Sequence, residues 1–433
     1  MLSAQEAESI ILSLVQPLNA EQNSEQVDLH SAVGRILAAD VSSGLDFPHW
    51  DNSAMDGYAV RFEDVQHCSI ENPVTLEMVE EIPAGKPPQG TVKSGQTARI
   101  LTGSMMPPGA DTVVIQEDPR REGDQITILA APKPQAFVRR QASFYQAGEL
   151  LLAAGTVLYA PEIAILAAAQ CTQISVYRRP RVAILSTGSE LVEPDQPLQP
   201  GQIVDSNQYA LAALVTQVGA QPICMGIVPD DPESLQVAIT QAVAQADIVL
   251  SSGGVSVGDY DYVDQILTTL GAQLHIRAVA VKPGKPLTVA TFPSPPASPA
   301  PLLSSPAPLY FGLPGNPVSA LVSFWRFVQP ALRKLSGLPD SWRVGFVLAR
   351  SRHTLKAGGK RETYLWGRLI LGEAGYEFAL ADGSHSSGNL INLAHTNGLA
   401  VIPIGQTDIS AGSIVQVMQV SEIYCLKPRL PLG

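Results

Sequence analysis

The sequence predicts a multidomain protein with a central doubly wound α/β domain and smaller β-rich domains around it. Its 433 residues are about three times the ~150 residues of one typical domain. Within 179–336, short apolar runs alternate with helix-like stretches, which is the pattern of βαβ units. On both sides of that region, Gly and Pro separate short alternating runs, as in small β-domains.

Five apolar runs are predicted to be the strands of the central domain, at 182–185, 223–228, 248–250, 278–281 and 309–311. Helical periodicity is found between and after them, at 207–218, 232–245, 261–270 and 316–336. Strands that alternate with helices form mainly parallel sheets with both faces covered. One segment, 293–308, holds seven prolines and predicts a mobile surface loop.

The rest of the chain is organised differently. Ser3 and Glu6 have the spacing of a capping box, so an amphipathic helix opens the chain. Helical character returns at Pro161, after a β-rich segment, which predicts that this segment is inserted into an elongated domain. The predicted elongated domain comprises 1–45 and 137–178, and the inserted β-domain comprises 46–136. The α/β domain follows at 179–336, and a C-terminal β-domain or barrel at 337–433.

The composition excludes several classes of protein. The 28 Lys and Arg against 40 Asp and Glu give a net charge of -12, the wrong sign for a protein that binds nucleic acid. The sequence shows neither a secretory signal nor an apolar stretch long enough to cross a membrane. Four dispersed cysteines predict buried free thiols in a reducing compartment. We therefore expect a cytoplasmic protein with no nucleic-acid or membrane partner.

Two glycine-containing loops follow predicted strands at the sheet edge where α/β domains bind ligands. Residues 187–190 (TGSE) follow the first strand, and residues 252–261 (SGGVSVGDYD) follow the third. Glycines let backbone N–H groups approach an anion, and the start of the next helix adds partial positive charge. A plain tight turn between strand and helix explains such a loop equally well.

Two proline-containing motifs lie at the ends of the remaining strands. Lys282 and Lys285 belong to KPGKP, where prolines stiffen the backbone, and ammonium groups fixed in this way suit a phosphate or an oxyanion. A pair of ordinary surface lysines is the alternative. The motif GLPGNP at 312–317 places Asn316 at an N-cap and Pro317 at the first helical position, so a plain helix start is nearly as good an explanation.

Carboxylates are expected at the same edge of the sheet. Mg²⁺ is typically held by one or two carboxylates and by substrate phosphate oxygens, so acids beside lysines suit metal-assisted phosphoanhydride chemistry. For Asp205 and Asp231, helix capping or a turn is an at least equally good explanation. The candidate acids are Glu190, Asp205, Asp230, Asp231, Asp259 and Asp261. Motifs of zinc hydrolases, serine hydrolases and P-loop NTPases are absent from the sequence.

Together with two earlier motifs, these sequences resemble the molybdopterin molybdenumtransferases, the MoeA family related to the C-terminal domain of gephyrin. The earlier motifs are DNSAMDGYA at 51–59, and RILTG at 99–103 followed by PGAD at 108–111. The resemblance covers nearly the whole chain. It implies that the elongated domain is a linker and dimerisation domain, that the α/β domain binds molybdopterin, and that a C-terminal β-barrel follows. It also implies a homodimer whose active-site clefts combine residues of both subunits.

The activity that the resemblance implies is insertion of molybdate into adenylylated molybdopterin, which yields molybdenum cofactor and AMP with the help of Mg²⁺. By motif, the catalytic residues are Asp56, Thr102, Glu190, Asp230, Asp261, Lys282 and Lys285. The substrate-binding residues are Ser252, Gly253, Gly254, Ser256, Gly258, Asp259, Pro283, Gly284, Pro314, Gly315, Asn316, Arg361 and Ser387. We expect Lys282, Lys285 and Arg361 to hold molybdate and phosphate oxygens. Glu190 and Asp261 are the expected ligands of Mg²⁺.

Two positions depart from the family pattern. Phe144 stands where an Asp is expected, and Trp366 stands where an Arg often follows the position of Arg361. These departures remove one carboxylate and one cation from the implied site. Two other functions stay open: adenylylation of molybdopterin, whose enzymes share the α/β domain, and a non-catalytic scaffold that docks cofactor-assembly or molybdoenzyme partners.

Overall fold

The structure is a computed structural model that describes residues 1–254, 262–293 and 307–421. A six-stranded sheet, the central sheet, lies in the middle of the chain. Its strands in spatial order are Gln221–Val228, Arg181–Thr187, Ile248–Ser252, Leu309–Leu313, Pro286–Thr291 and Gln273–Ala278. Neighbouring strands are parallel except at Pro286–Thr291, which is antiparallel to both of its neighbours. The prediction of a mainly parallel sheet is confirmed.

Helices cover both faces of the central sheet. Successive residues of a strand face opposite sides, so Val182 and Ile184 lie in one core and Ala183 and Leu185 in another. Helices Asn207–Gln217 and Pro317–Ser323 cover the core of Val182 and Ile184. Helices Pro232–Gln245 and Tyr262–Thr269 cover the core of Ala183 and Leu185. The central domain is therefore doubly wound, as predicted.

The apolar run at 278–281 is not a single strand, so that prediction is wrong. Strand Gln273–Ala278 ends there, and a separate strand, Val281–Lys282, leaves the central sheet. It pairs in parallel with the first residues of strand Glu362–Gly372 of the C-terminal region. Two distant parts of the chain are joined at the lysine-bearing loop by this pairing.

The predicted helix at 316–336 contains a π-helical turn. Helix Pro317–Ser323 passes into the π-turn Phe324–Val328, which leads into helix Gln329–Leu335. Pro330 explains the interruption, because proline has no N–H and its ring clashes with the carbonyl four residues earlier in a regular α-helix.

A second six-stranded sheet, the insert sheet, lies within 46–136. Its strands in spatial order are Thr112–Ile115, Gly57–Val60, Gln96–Ile100, Val74–Ile82, Gln125–Ile128 and Arg120–Glu122. Buried aliphatic side chains fill two small cores around it. Gly57 is required where two strands approach closely, because a Cβ there would lie 2.1 Å from the carbonyl oxygen of Val114.

The C-terminal region forms a closed five-stranded β-barrel, as predicted. Its strands in spatial order are Glu362–Gly372, Gly375–Leu380, Phe346–Ser351, Ile414–Gln419 and Gly398–Ile402. The last strand pairs with the first and closes the barrel. Leu365 and Phe378 pack inside the barrel, whereas Tyr364 and Trp366 join the core of the central domain. Burial of these two aromatic rings attaches the barrel to the central domain.

The N-terminal helix Ala4–Leu14 begins at the predicted capping box. Ser3 Oγ accepts from the N–H of Glu6 at 3.2 Å, and Glu6 Oε2 accepts from the N–H of Ser3 at 2.8 Å. The apolar side of the helix packs into the core of the central domain. There the buried carboxylate of Glu8 pairs with the buried guanidinium of Arg326 at 2.8 Å. Glu8 also lies 3.8 Å from Arg343, so loss of Glu8, and not loss of Arg326, would leave an uncompensated buried charge.

Short elements complete the described part of the chain. The remaining helical segments are Ala20–Asn23, Phe62–Val65, Ala160–Ala168 and the 3₁₀ turn Ile391–Leu393. The remaining strands pair as Ser24–Val27 with Ile174–Tyr177, Val41–Ser42 with Leu150–Leu152, Asn52–Ser53 with Val138–Arg139, Leu191–Val192 with Ile203–Val204, and Leu355–Lys356 with Asp408–Ile409. Within the described ranges, no helix has the length and apolar character to cross a bilayer.

Cys68, Cys171 and Cys224 are free thiols as expected, but only Cys68 is buried. Most of the proline-rich segment 293–308 lies outside the described residues, so the surface loop stays a prediction. The predicted domain boundaries also stay predictions.

Candidate active site

Two loops at the carboxyl edge of the central sheet touch each other. Gly253 has a φ of +94°, and a Cβ on it would lie 2.3 Å from the carbonyl oxygen of Thr187. Gly254 has a φ of +66°, and a Cβ on it would lie 2.8 Å from Thr187 Oγ1. Only glycine fits at these positions, because both the backbone conformation and the close approach exclude a side chain. The 252–254 turn therefore lies directly against the 187–190 loop.

Asn207 links this turn to the loop that opens the last helix of the central domain. Its Nδ2 donates to Ser252 Oγ at 2.6 Å and to the carbonyl oxygen of Gly315 at 2.8 Å. A Cβ on Gly315 would lie 3.5 Å from the Cα of Gly253, so the two loops are in contact. Asn207 was not among the residues predicted from the sequence. The available signal was a polar residue that begins a helix two positions after Asp205.

Asp231 is the N-cap of its helix, whereas Asp205 precedes the N-cap Ser206 and accepts hydrogen bonds from the first helical turn. Both arrangements agree with the capping or turn explanation. Asp205 Oδ1 accepts from the N–H of Asn207 at 3.1 Å and from the N–H of Gln208 at 3.2 Å. Asp231 Oδ1 accepts from the N–H of Ser234 at 2.9 Å, and this contact lowers the pKa of Asp231. The geometry therefore gives both carboxylates a structural task.

Three candidate motifs meet around helix Pro317–Ser323. Asn316 is the N-cap, and its side chain makes no capping hydrogen bond, so the amide can contact a ligand. The carbonyl oxygen of Ser387 accepts from a backbone N–H of the first helical turn at 3.1 Å. Gly284 has a φ of +106° and approaches so closely that a Cβ would lie 2.9 Å from Ser323 Oγ. The KPGKP segment at 282–286, called the lysine loop, therefore packs on this helix. The loop of the C-terminal barrel that contains Ser387 packs on it as well.

Three cationic side chains border the same region. Lys282 is exposed and Lys285 is half-buried, and neither ammonium group makes a hydrogen bond or ion pair within the described residues. Arg361 Nη1 donates to the carbonyl oxygen of Val281 at 3.2 Å, which places its guanidinium beside the lysine loop. A lysine ~4 Å from a phosphate attracts it by about 4 kcal/mol at an effective dielectric constant near 20. The arrangement suits an oxyanion.

Two candidate acids, Glu190 and Asp230, lie at the 187–190 loop. Glu190 is exposed, and its carboxylate lies so near Gly188 that a Cβ on the glycine would be 2.7 Å from Oε2. The Ser189 N–H donates to Asp230 Oδ2 and the Asp230 N–H donates to Ser189 Oγ, both at 3.3 Å. Glu190 makes no side-chain hydrogen bond in the described ranges. Its free carboxylate fits Mg²⁺, which takes carboxylate and phosphate oxygens together with waters.

Four predicted site residues lie outside the described residues: Ser256, Gly258, Asp259 and Asp261. The joint metal site of Glu190 and Asp261 therefore stays a prediction. In the part of the chain that the structure describes, no three His, Cys, Asp or Glu side chains form a cluster that could hold an ion alone.

Asp56 and Thr102 form a separate contact in the insert sheet. Asp56 Oδ1 accepts from Thr102 Oγ1 and from the Thr102 N–H, both at 2.7 Å. These two bonds, and more weakly the charge of Arg99, lower the pKa of Asp56. None of the hydrogen bonds that Asp56 or Thr102 makes within the described residues reaches the central domain.

The two departures from the family pattern lie in different surroundings. Phe144 is 62% exposed and its ring centroid is 5.7 Å from that of Phe47. Trp366 is buried, and its ring centroid is 4.4 Å from that of His385. Phe144 is thus available to a ligand, whereas Trp366 belongs to the core.

A cavity of about 880 Å³ lies elsewhere and is lined by none of the predicted site residues. Two of its lining arginines are already paired, Arg35 with Glu25 and Arg178 with Asp247. The other two lining arginines, Arg179 and Arg333, donate to backbone carbonyl oxygens. We place the candidate site at the lysine loop because none of the predicted site residues lines this cavity.

The chain matches three family models that together cover most of its length. They are described as the MoeA N-terminal region (domain I and II) at 2–169, the probable molybdopterin binding domain at 183–334 and the MoeA C-terminal region (domain IV) at 349–420. The fold and the converging loops thus define a multidomain protein of molybdenum cofactor biosynthesis.

Individual relatives refine this assignment. The molybdopterin molybdenumtransferase of Nostoc sp. is 62% identical over 97% of this chain and 94% of the relative. That of Haemophilus influenzae is 33% identical over 96% of this chain and 98% of the relative. The crystal structure of the molybdopterin biosynthesis moea protein from Pyrococcus horikosii has a TM-score of 0.79 and 30% identity, covering 97% of this chain and 99% of that one. The chain belongs to the molybdopterin molybdenumtransferase family, which confirms the resemblance.

Proposed function

We propose that the protein is a molybdopterin molybdenumtransferase, which inserts molybdate into adenylylated molybdopterin and releases molybdenum cofactor and AMP. The observation that carries this proposal is the 62% identity to the Nostoc relative of that name over 97% of this chain. The geometry at the edge of the central sheet supports it, because the glycine turns touch each other there and the lysine loop packs on the helix that follows Gly315.

Anion binding is the first task of this site. Lys282, Lys285 and Arg361 offer positive charge at the loop that packs on helix Pro317–Ser323 through Gly284. Molybdate and the phosphoanhydride are both oxyanions. The same cations therefore stabilise the negative charge that develops when the phosphoanhydride is cleaved and AMP leaves.

Positioning of the nucleotide-capped pterin is the second task. The 252–254 turn and the 314–316 loop present backbone groups without bulky side chains, so a phosphate can approach closely. Asn207 fixes the spacing of these two segments through its hydrogen bonds to both. We therefore assign Asn207 as a positioning residue. Pro283 and Gly284 set the direction in which the two lysines leave the loop.

Magnesium belongs to the proposal, with Glu190 and Asp261 as its protein ligands and Asp230 beside them. Support comes from Glu190, whose carboxylate is exposed and makes no hydrogen bond within the described residues. When bound, the ion would neutralise charge on the phosphate oxygens.

A homodimer is the proposed explanation for the separate position of Asp56 and Thr102. In each cleft these two residues would come from the second subunit and lie opposite the lysine loop. The lowered pKa of Asp56 keeps its carboxylate charged at neutral pH. A cytoplasmic location and contacts with cofactor-assembly or molybdoenzyme partners are parts of the same proposal.

Release of AMP tests the proposed reaction. Purified protein is mixed with adenylylated molybdopterin, molybdate and Mg²⁺, and AMP is measured over time. Lys282→Ala should lower the rate about 100-fold, because a charge-stabilising donor is lost. Lys86→Ala is the matched control, since Lys86 is an exposed lysine of the inserted region, and it should leave the rate unchanged.

The same assay separates the two alternatives. Consumption of ATP with unmodified molybdopterin would indicate an adenylyltransferase. Substrate binding without AMP release would favour a scaffold. Equal rates for the wild type and Lys282→Ala would contradict the assigned role of the lysine loop.

A further inference from the structure

A small aromatic pocket lies beside the Asp56–Thr102 contact. Its volume is about 230 Å³, and its lining includes Phe47, Trp50, Asn52, Gly103, Arg139 and Phe144. Gly103 directly follows Thr102 in the chain. The pocket therefore opens next to catalytic candidates but contains none of them.

The walls of the pocket are aromatic rings that face solvent. Phe144 is 62% exposed and Trp50 is 45% exposed. The ring centroid of Phe47 is 5.7 Å from that of Phe144 and 5.3 Å from that of Tyr145, with which it stacks. Tyr145 thus supports Phe47 from behind. Exposed aromatic rings held in this way form a platform for another planar ring.

Two unpaired polar groups accompany the rings. Asn52 Oδ1 is buried and has no hydrogen-bond partner within the described residues. The Arg139 side chain makes no hydrogen bond or ion pair there either, whereas its neighbour Arg140 pairs with Asp51 at 2.6 Å. Asn52 and Arg139 lie opposite each other on paired strands, so their side chains leave the same face. The pocket therefore offers an unpaired cation, Arg139, to a ligand.

The size of the pocket restricts the ligand. Sites for drug-sized molecules are about 300–1,000 Å³, so this smaller pocket suits one fused ring system. A phosphate attached to such a ring would lie near Arg139. Unpaired polar atoms and exposed rings both lack an explanation in the fold itself.

We propose that this pocket binds a planar heteroaromatic ring that carries a phosphate, with Phe144 as a stacking residue. The identity of the ligand rests on the proposed function, since adenylylated molybdopterin carries an aromatic adenine and a reduced pterin whose pyrimidinone ring is planar. The family pattern has an Asp carboxylate at this position. Phe144 offers an aromatic face instead, which favours binding of the ring.

Calorimetric titration of the full-length chain tests the proposal. The probes are 6-hydroxymethylpterin phosphate, AMP and, as a phosphate without a ring, ribose 5-phosphate. Phe144→Ala should weaken binding of a ring-bearing probe about 5- to 150-fold, the range for loss of one stacking residue. Ribose 5-phosphate should bind equally to both proteins. Phe137→Ala is the matched control, since Phe137 is 45% exposed but does not line the pocket.

Each outcome decides the proposal. Weaker binding of the pterin probe alone assigns the pocket to the pterin, and weaker binding of AMP alone assigns it to the adenine. The proposal is overturned if neither ring-bearing probe binds the wild type at millimolar concentration, or if Phe144→Ala and Phe137→Ala bind both as the wild type does. Phe144→Leu keeps the apolar bulk without the aromatic plane and should resemble Phe144→Ala. AMP release is measured on the same samples, so a failed proposed function with intact ring binding is recognised as such.

Discussion

Removal of the Asn207 amide should open the candidate active site without unfolding the protein. The amide donates to Ser252 Oγ at 2.6 Å and to the carbonyl oxygen of Gly315 at 2.8 Å. Each hydrogen bond contributes about 1 kcal/mol net, so Asn207→Ala should lower the free energy of local opening by about 2 kcal/mol. That corresponds to an opening equilibrium about 30-fold more favourable.

Hydrogen exchange measured by mass spectrometry is the appropriate assay, because a multidomain chain does not unfold in one step. The reporter amide is Gly253, whose N–H donates to the carbonyl oxygen of Leu313 at 3.2 Å. Protection of peptides that cover 248–254 should fall about 30-fold in Asn207→Ala. Asn316→Ala is the control, since the Asn316 side chain makes no capping bond. Unchanged protection in Asn207→Ala, or an equal loss in the control, would refute the reasoning.

Three further predictions concern other parts of the structure. Gly253→Ala places a Cβ 2.3 Å from a carbonyl oxygen of the neighbouring loop at a φ of +94°, so it should abolish AMP release, and wild-type turnover would contradict this. Thr102→Ala removes the main cause of the lowered pKa of Asp56, so carboxyl NMR should show the pKa rising towards its ordinary value. The stability that Asp56 gains from Thr102 is present above the unfolded-state pKa and is lost as the pH falls through the lower folded-state pKa, so the two proteins should converge in stability in acid. Glu8→Gln leaves Arg326 buried without its counter-charge and should destabilise the protein by about 3–5 kcal/mol, seen as a lower midpoint of thermal unfolding. An unchanged midpoint would show that the ion pair is not needed.

Local patterns predicted the elements whose causes are local. The capping box of Ser3 and Glu6 is present because it needs only one helical turn. The alternation of strands and helices at 179–336 predicted a doubly wound sheet because each segment must bury one apolar face. Helix capping by Asp231 and the turn at Asp205 were likewise among the stated alternatives.

Features that depend on distant parts of the chain were not predictable. Val281–Lys282 pairs with Glu362–Gly372, so the lysine loop belongs to the barrel as much as to the central sheet. Asn207 looked like a routine helix start, although it joins two loops that are far apart in sequence. The role of Asp56 came from the family resemblance alone, because no local pattern connects it to Thr102.

Crystals of the full-length protein soaked in molybdate provide the sharpest test of where the oxyanion binds. The anomalous difference map should show molybdenum within hydrogen-bonding reach of Lys282 and Arg361, beside helix Pro317–Ser323. A molybdenum peak confined to another place, such as the cavity lined by Arg35 and Arg178, would contradict the assignment of this edge of the central sheet as the active site.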